Sequence, residues 1–507
     1  MSICDNCEVI FNDGPGVIKV IYPACPAGLL YPGFNKNHAV RRVIVTAPRW
    51  KNVCDETSRE AIAWSQYSGA IFPSATNLVI MLNKSIFDPS LMADHPVLPT
   101  PSPDTVGWCK GVVDFARALL RMTPAVTGVS VVAFSADAVH KSNKGLCAIL
   151  LSVLHHGGVT RLDFKCTTDS PTGSLRPHMM TGLTSITHGI NVPCSPIARL
   201  AYYNAPTLRE LHIVPTGPND WSSLITCGKL APASYTSLVS LSMVIINTSL
   251  SGWTTAKGAI PFPVLSRLVI GGAYPFADDT LFRGNRGTLQ KLSISCHALT
   301  RNALGRSGLF EPGGLAQLNP IHTILVTGEP YLTTSTGLIS EQLHRVLESS
   351  TVLKLNCHAV SGNMFSSLCT APSTAILRHL TLYNRPCTLN DVVSIVSALP
   401  SLVSLTCRIK GSATRIGLIP ENESPGILHG KHYPLSRNFR VLHVPSVKNA
   451  DIGKVSIVAM QIAVVCPSFA YMYLPLELRK GFRGKVNWSS RNGPFKLYGD
   501  ALRRLIT

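Results

Sequence analysis

The sequence predicts an α/β fold, a solenoid of helix–strand units whose short strands lie side by side in a parallel sheet. Three observations predict it. An apolar triplet at positions i, i+3 and i+5 recurs along most of the 507 residues. Stretches with helical apolar spacing precede several triplets, and a proline separates helix from strand in the clearest examples. Positions i+3 and i+5 share one face of a strand because side chains alternate. Position i packs where the chain turns into that strand. One such unit cannot bury its apolar face alone, so units stack and share a continuous core.

The first copies are Val40, Val43, Val45, then Ala75, Leu78, Ile80, then Val126, Val129, Val131, then Val159, Leu162, Phe164. Leu208, Leu211, Ile213, Leu238, Leu241, Met243, Leu265, Leu268, Ile270, Leu289, Leu292, Ile294 and Ile321, Ile324, Val326 continue the series. After a degenerate copy at Leu353 and Leu355 come Leu377, Leu380, Leu382, then Leu402, Leu405, Cys407, then Phe439, Leu442, Val444, with a last copy at Phe469, Met472, Leu474. The middle copies recur every ~24 to 32 residues, within the range of repeat proteins.

Helical stripes supply the other half of each unit. Val392, Ile395, Val396 and Leu399 have i, i+3, i+4, i+7 spacing, with Asn390 placed to cap and Pro400 to stop the helix. Val112, Phe115, Leu119 and Met122 form a second stripe ended by Pro124, and Leu343, Val346 and Leu347 a third. The uncharged run "VSIVAMQIAVVCPSFAYMYLPL" over 455–476 is long enough to raise the question of a membrane span. It also parses as helix, Pro467, strand, matching the Pro400 unit, so no membrane span is expected.

These triplets in phase with preceding helices resemble the leucine-rich repeat family over roughly 39–475. The irregular, Leu-poor phrases "FPSATNLVI" and "RMTPAVTGVSVV" resemble the repeat regions of fungal F-box-type proteins. The resemblance implies a horseshoe with the strands on its concave side. It also implies a protein-binding scaffold, a substrate receptor of a ubiquitin ligase whose partners are a ligase adaptor and the substrate. The sequence departs from the family in two places. The asparagine or cysteine expected after the strand is mostly missing, position 385 being Arg and 297 His. Residues 1–38 are short, Gly/Pro-rich and carry no clear F-box module.

Domain boundaries follow: an N-terminal segment over 1–38, the repeat solenoid over 39–475, and a basic C-terminal cap over 476–507. Pro-rich or polar stretches near 86–106, 166–195 and 410–436 read as loop insertions.

Composition narrows function. Hydrophobic residues make up 45% and charged residues 14%, which excludes a disordered chain. The net charge of +19 favours acidic partners. Fifteen cysteines spread over this length do not form the dense framework of a small secreted domain. With no signal-peptide pattern at the N-terminus, the expected location is cytoplasmic or nuclear.

No nucleophile elbow, phosphate-binding loop, dinucleotide fingerprint or zincin motif occurs, so no enzyme activity, cofactor or metal is expected. Cys4 and Cys7 form half of a zinc site with no second half at the usual spacing. His155 and His156 sit at a helix end, where the helix dipole suits them. The strand positions between the buried ones project to the concave face. Arg42, Arg161, Asp163, Glu210, His212, Arg267, Lys291, Lys354, His379, Ser404, Thr406 and His443 form that set, and it leans basic. It is the candidate surface for a protein partner; the competing reading is an ordinary solvated face. A second hypothesis is binding of nucleic acid or an anionic surface. It rests on the total charge and on Arg479, Lys480, Arg483 and Lys485, which lie near Trp488, Phe495 and Tyr498.

Overall fold

The computed structural model describes residues 9–10, 17–21, 40–47, 72–82, 103–133, 150–166, 177–189, 194–227, 230–245, 253, 260–272, 281, 287–295, 322–327, 354–357, 376–410, 436–444, 447–448, 462, 466, 468–469, 471–474 and 495–498. The chain divides into two compact units, Met1–Asn247 with Gly252–Val264, and Thr248–Ser251 with Leu265–Thr507.

In the first unit β1 (Val9–Ile10) lies antiparallel to β2 (Val17–Ile21). From β2 onward every pairing is parallel and follows chain order: β3 (Arg42–Ala47), β4 (Asn77–Leu82), β5 (Gly128–Ala133), β6 (Arg161–Cys166), β7 (Ser185–His188), β8 (Glu210–Ile213) and β9 (Ser240–Ile245). Helix α1 (Pro103–Met122) precedes β5 and a helical turn pair over 150–156 precedes β6. Helices α2 (Cys194–Tyr203) and α3 (Pro218–Ile225) precede β8 and β9.

The second unit repeats the plan. β10 (Arg267–Gly272), β11 (Lys291–Ser295), β12 (Thr323–Thr327), β13 (Lys354–Cys357), β14 (His379–Cys387), β15 (Ser404–Lys410) and β16 (Val441–His443) pair parallel in order. Helix α4 (Leu389–Ala398) joins β14 to β15. β17 (Val447–Lys448) continues beside β15, β18 (Tyr471–Leu474) pairs with β16, and β19 (Phe495–Tyr498) closes antiparallel on β18.

The register explains the triplet. Leu78, Val129, Leu162, Ile186, Leu211 and Leu241 stand in one column. All are buried, as are the third members Ile80, Val131, Phe164, Ile213 and Met243. Each buried large apolar side chain contributes roughly 1.5–3 kcal/mol. A fixed backbone device holds this register. The carbonyl of residue i+1 accepts two N–H groups from the next unit: Arg41 O from Thr76 and Asn77, Thr76 O from Thr127 and Gly128, Thr127 O from Thr160 and Arg161. The same pairing recurs in the second unit, where Ser266 O accepts from Gln290 and Lys291, and Arg378 O from Val403 and Ser404.

A fourth buried anchor, three residues before position i, goes beyond the triplet. The N–H of Ala75 donates to Phe72 O, Val126 to Thr123 O, Leu238 to Tyr235 O, Leu402 to Leu399 O and Phe469 to Cys466 O, at 2.9–3.2 Å. Phe72, Thr123, Tyr235, Leu399 and Cys466 are all buried. This tight turn swings the chain from helix to strand and places a second side chain under the sheet.

The structure corrects four sequence expectations. The stretch 166–195, read as a loop insertion, contains β7, a full unit anchored by Leu183 and Ile186. Its third anchor is His188, fully buried, whose Nδ1 accepts the Val214 N–H at 3.0 Å. A polar residue in an apolar slot hid the repeat. The segment 1–38 is not separate from the sheet, since β2 pairs with β3. Asn390 does not cap α4. Thr388 does, in a reciprocal capping box with Asp391: the Asp391 N–H donates to Thr388 Oγ1 at 3.1 Å and the Thr388 N–H to Asp391 Oδ2 at 2.7 Å. The degenerate unit at β13 has Leu355 and Cys357 in the anchor columns and not Leu353, because Leu355 stands opposite Ile324 and Leu380.

Other expectations hold. Phe115, Leu119 and Met122 are the buried stripe of α1. Pro400 follows the end of α4. His155 lies in the last turn of the 150–156 helix with its Nδ1 2.9 Å from Val159 O. Gly158, at φ +104, reverses the chain there, a backbone conformation that favours glycine. Among the described residues no helix is long and apolar enough to cross a membrane, and of the run 455–476 only 462, 466, 468–469 and 471–474 are described. The stretches 86–102 and 411–435, and residues 343–347, lie outside the described residues.

Candidate binding face

The sheet face opposite the core carries the alternate strand positions. In the first unit Arg42, Asn77, Gly128, Arg161, Ser185, Glu210 and Ser240 stand in one register column. Ile44, Val79, Ser130, Asp163, Thr187, His212 and Ser242 form the neighbouring column. Arg42, Arg161 and Glu210 are exposed, and Asp163 and His212 half-buried.

The first column from Arg42 to Glu210, with Val79, Ser130, Asp163 and Thr187 of the second, lines a groove of ≈ 300 Å³ that crosses β3 to β8. Gly128 adds no side chain to its floor. A Cβ there would come within 2.9 Å of Asn77 Oδ1 and 3.3 Å of Arg161 Nε and Nη2. The glycine leaves the room in which Arg161 lies across β5. Arg161 Nη2 donates to Asn77 Oδ1 at 3.2 Å and to Thr127 Oγ1 at 2.9 Å. Two neutral acceptors orient the guanidinium without cancelling its charge.

In the neighbouring column of the same strands Ser130 Oγ donates to Asp163 Oδ2 at 3.0 Å, and toward β8 Ser185 Oγ donates to Glu210 Oε2 at 3.4 Å. His212 Nδ1 lies 2.8 Å from Ser242 Oγ. Burial holds the His212 imidazole below its ordinary range, and the Asp163 carboxylate opposes that shift. The groove is thus cationic toward β3 and anionic toward β8.

In the second unit Arg267, Lys291, Thr323, Lys354, His379, Ser404, Val441 and Tyr471 share a register column. Val269, Ser293, Leu325, Asn356, Thr381, Thr406, His443 and Tyr473 share the next. Neither column contains an Asp or Glu. Arg267, Lys291 and His379 are exposed, and His379 Nδ1 lies 2.9 Å from Ser404 Oγ. Burial pushes the half-buried His443 below its ordinary range.

The structure therefore brings the sequence-selected residues together by unit: Arg42, Arg161 and Glu210 around one groove, with His212 in the neighbouring column but not lining it, and Arg267, Lys291, Lys354 and His379 along one column. The sequence reading missed Asn77, Gly128 and Ser185. Ser185 was hidden with its repeat, while Asn77 and Gly128 carry no charge to attract notice. Arg479, Lys480, Arg483 and Lys485 lie outside the described residues, as do Cys4 and Cys7.

Several of the described thiols are core groups. Cys194, Cys407 and Cys466 are buried core residues. Burial pushes the Cys466 thiol up to about 12 and raises Cys194 as well; a hydrogen bond with Cys387, with burial, raises Cys407. Among the described residues no group of three or more His, Cys, Asp or Glu is placed to hold a metal. The chain matches no family model and no curated protein.

Proposed function

We propose that this protein is a non-enzymatic binding scaffold of the leucine-rich-repeat type. Its helix–strand units would form a solenoid, a horseshoe with the parallel sheet on the concave side, and that face would hold a protein partner. The observation that carries the reading is the polar sheet face itself. Repeat after repeat in constant register sets differing, mostly polar side chains, some exposed and most half-buried, over a shared apolar core, which is how repeat proteins build extended recognition surfaces.

The resemblance of the repeats to F-box-type proteins suggests a finer role, that of a substrate receptor acting with a ligase adaptor in the cytoplasm or nucleus. The test is affinity capture of the tagged full chain from fungal extract, with and without nuclease, and identification of what binds. Recovery of a ligase adaptor and cullin supports the receptor role. Other protein partners resistant to nuclease leave the general scaffold.

A second reading, binding of nucleic acid or another polyanion, is favoured by the acid-free columns of the second unit and the net charge of +19. Capture that disappears with nuclease, and binding that falls steeply with salt, would select it over the first.

A further inference from the structure

We infer that the groove across β3 to β8 takes an extended peptide segment of mixed charge, with an acidic side chain over Arg161 and a basic one over Glu210. This deepens the scaffold reading and rests on it.

The groove is built and not merely charged. Arg161 is laid over the gap at Gly128 and fixed by Asn77 and Thr127, two acceptors that leave the rest of its donor fork for a ligand. These acceptors take the two Nη2 hydrogens, so a carboxylate would bind through the remaining Nε or Nη1 donors in a charge-assisted hydrogen bond. Arg42 stands further along the same column, on β3. Glu210, exposed on β8, and Asp163 supply the opposite sign.

Charge complementarity selects the occupant. A purely acidic chain would meet Glu210 and Asp163, and a purely basic one Arg161 and Arg42. Nucleic acid is disfavoured for the same reason. The described columns from β3 to β9 also contain no aromatic residue on which a base could stack. Arg161 and Glu210 are two strands apart, roughly 10 Å at the usual strand spacing. A peptide extended in the polyproline II conformation advances ~3.1 Å per residue with about three residues per turn, so two charges on the face turned to the groove should lie about three positions apart.

The test uses the full chain and fluorescein-labelled twelve-residue probes with one charge pair: Glu-x-x-Lys and Lys-x-x-Glu, together with Glu-x-x-Glu and Lys-x-x-Lys, in a Ser/Thr/Val background. Fluorescence anisotropy should show at least one mixed probe binding about tenfold more tightly than either single-sign probe. Arg161→Glu should move the preference to Lys-x-x-Lys, and Glu210→Lys to Glu-x-x-Glu. Gly128→Ala, whose methyl displaces the guanidinium, should weaken the mixed probe about tenfold with an unchanged melting temperature. A change of preference is something a merely structural role would not produce.

Equal binding of single-sign probes to the wild-type chain, no binding of any probe, or a preference that ignores both substitutions overturns the inference. If a captured protein partner binds Arg161→Glu and Glu210→Lys as tightly as wild type, the scaffold reading survives and this groove is not its site. If neither probes nor protein partners bind, both readings fall.

Discussion

The two units share one backbone plan and differ in what they write on it. Both use the same doubled hydrogen bond from strand to strand, the same buried columns and the same turn before the strand. On the opposite face the first unit alternates sign, with Arg42 and Arg161 against Asp163 and Glu210, whereas the second carries Arg267, Lys291 and Lys354 with no acid in either column. The described core positions have little freedom because they are buried between neighbouring repeats, and His188, the polar residue among the strand anchors, is held by a hydrogen bond. The face positions are free to diverge, so specificity can change without touching the fold. A groove of mixed sign discriminates by charge pattern, while a one-sign column attracts any polyanion and is screened by salt.

The most disruptive change should strike one unit alone. Trp221 on α3 is buried against Phe262, whose ring also packs on Tyr235 at 5.3 Å. Truncation of Trp221 to alanine removes one buried ring of this cluster and should cost about 3–5 kcal/mol. Phe439, stacked on Phe469 at 5.8 Å, is the counterpart in the second unit. Thermal unfolding of Trp221→Ala and Phe439→Ala, followed by calorimetry, sharpens the comparison. If the units melt independently, each substitution lowers a different transition. A single transition lowered by both would join the units into one cooperative block.

Asn204 should come next. It is fully buried and ties two repeats together: Oδ1 accepts the Leu183 N–H at 2.7 Å, and Nδ2 donates to Met180 O at 2.7 Å and Leu200 O at 2.8 Å. Asn204→Leu leaves those backbone groups unpaired in the core, and each costs ~1–3 kcal/mol. A loss of roughly 3 kcal/mol in urea unfolding is expected; a loss below about 1 kcal/mol would mean water replaces the side chain.

Asn204 also marks the limit of what the sequence revealed. The apolar triplets located fourteen of the strands, since burial demands apolar side chains at fixed spacing and leaves a trace in the residue types. β7 escaped because His188 fills an anchor slot by hydrogen bonding, and β2 because Ile18 and Val20 sit in a Gly/Pro-rich stretch. The charged members of the face were legible from alternation alone. The groove was not. It depends on an absence, the missing side chain of Gly128, and on where Arg161 lies across the strands, neither of which periodicity encodes.

Removing charge from the second unit should affect binding more than stability. Arg267→Gln with Lys291→Gln should weaken binding of a single-stranded oligonucleotide, and reduce the magnitude of its salt slope by about 1.5. The same pair in the first unit, Arg42→Gln with Arg161→Gln, should leave the slope nearly unchanged. Equal slopes for the two double variants would erase the distinction between the faces.

Helix capping gives a smaller, purely local effect. Thr388→Ala deletes the acceptor for the Asp391 N–H and opens the capping box of α4, for a loss of about 1 kcal/mol in chemical unfolding. Asn390→Ala should be nearly silent, which separates the observed cap from the one that spacing alone suggests.

The last and smallest effect is the response to acid, and here the units should behave alike. His212 in the first and His443 in the second are both held below the ordinary histidine range by burial, so the folded state disfavours the imidazolium. In the unfolded chain the same rings take up a proton near pH 6.5. The unfolded state then binds more protons, and stability falls as the pH drops below about 6.5, levelling off once the folded-state rings protonate as well. At His212 the Asp163 carboxylate favours the charged ring and offsets part of the burial, whereas burial is the cause at His443. His212→Gln and His443→Gln should therefore each flatten the pH dependence of urea unfolding between about pH 7 and 5. Moreover, Asp163→Asn should steepen the contribution of His212. Were Asp163→Asn to leave the curve unchanged, the carboxylate would not be felt at the ring, and the anionic end of the groove would be weaker than its geometry implies.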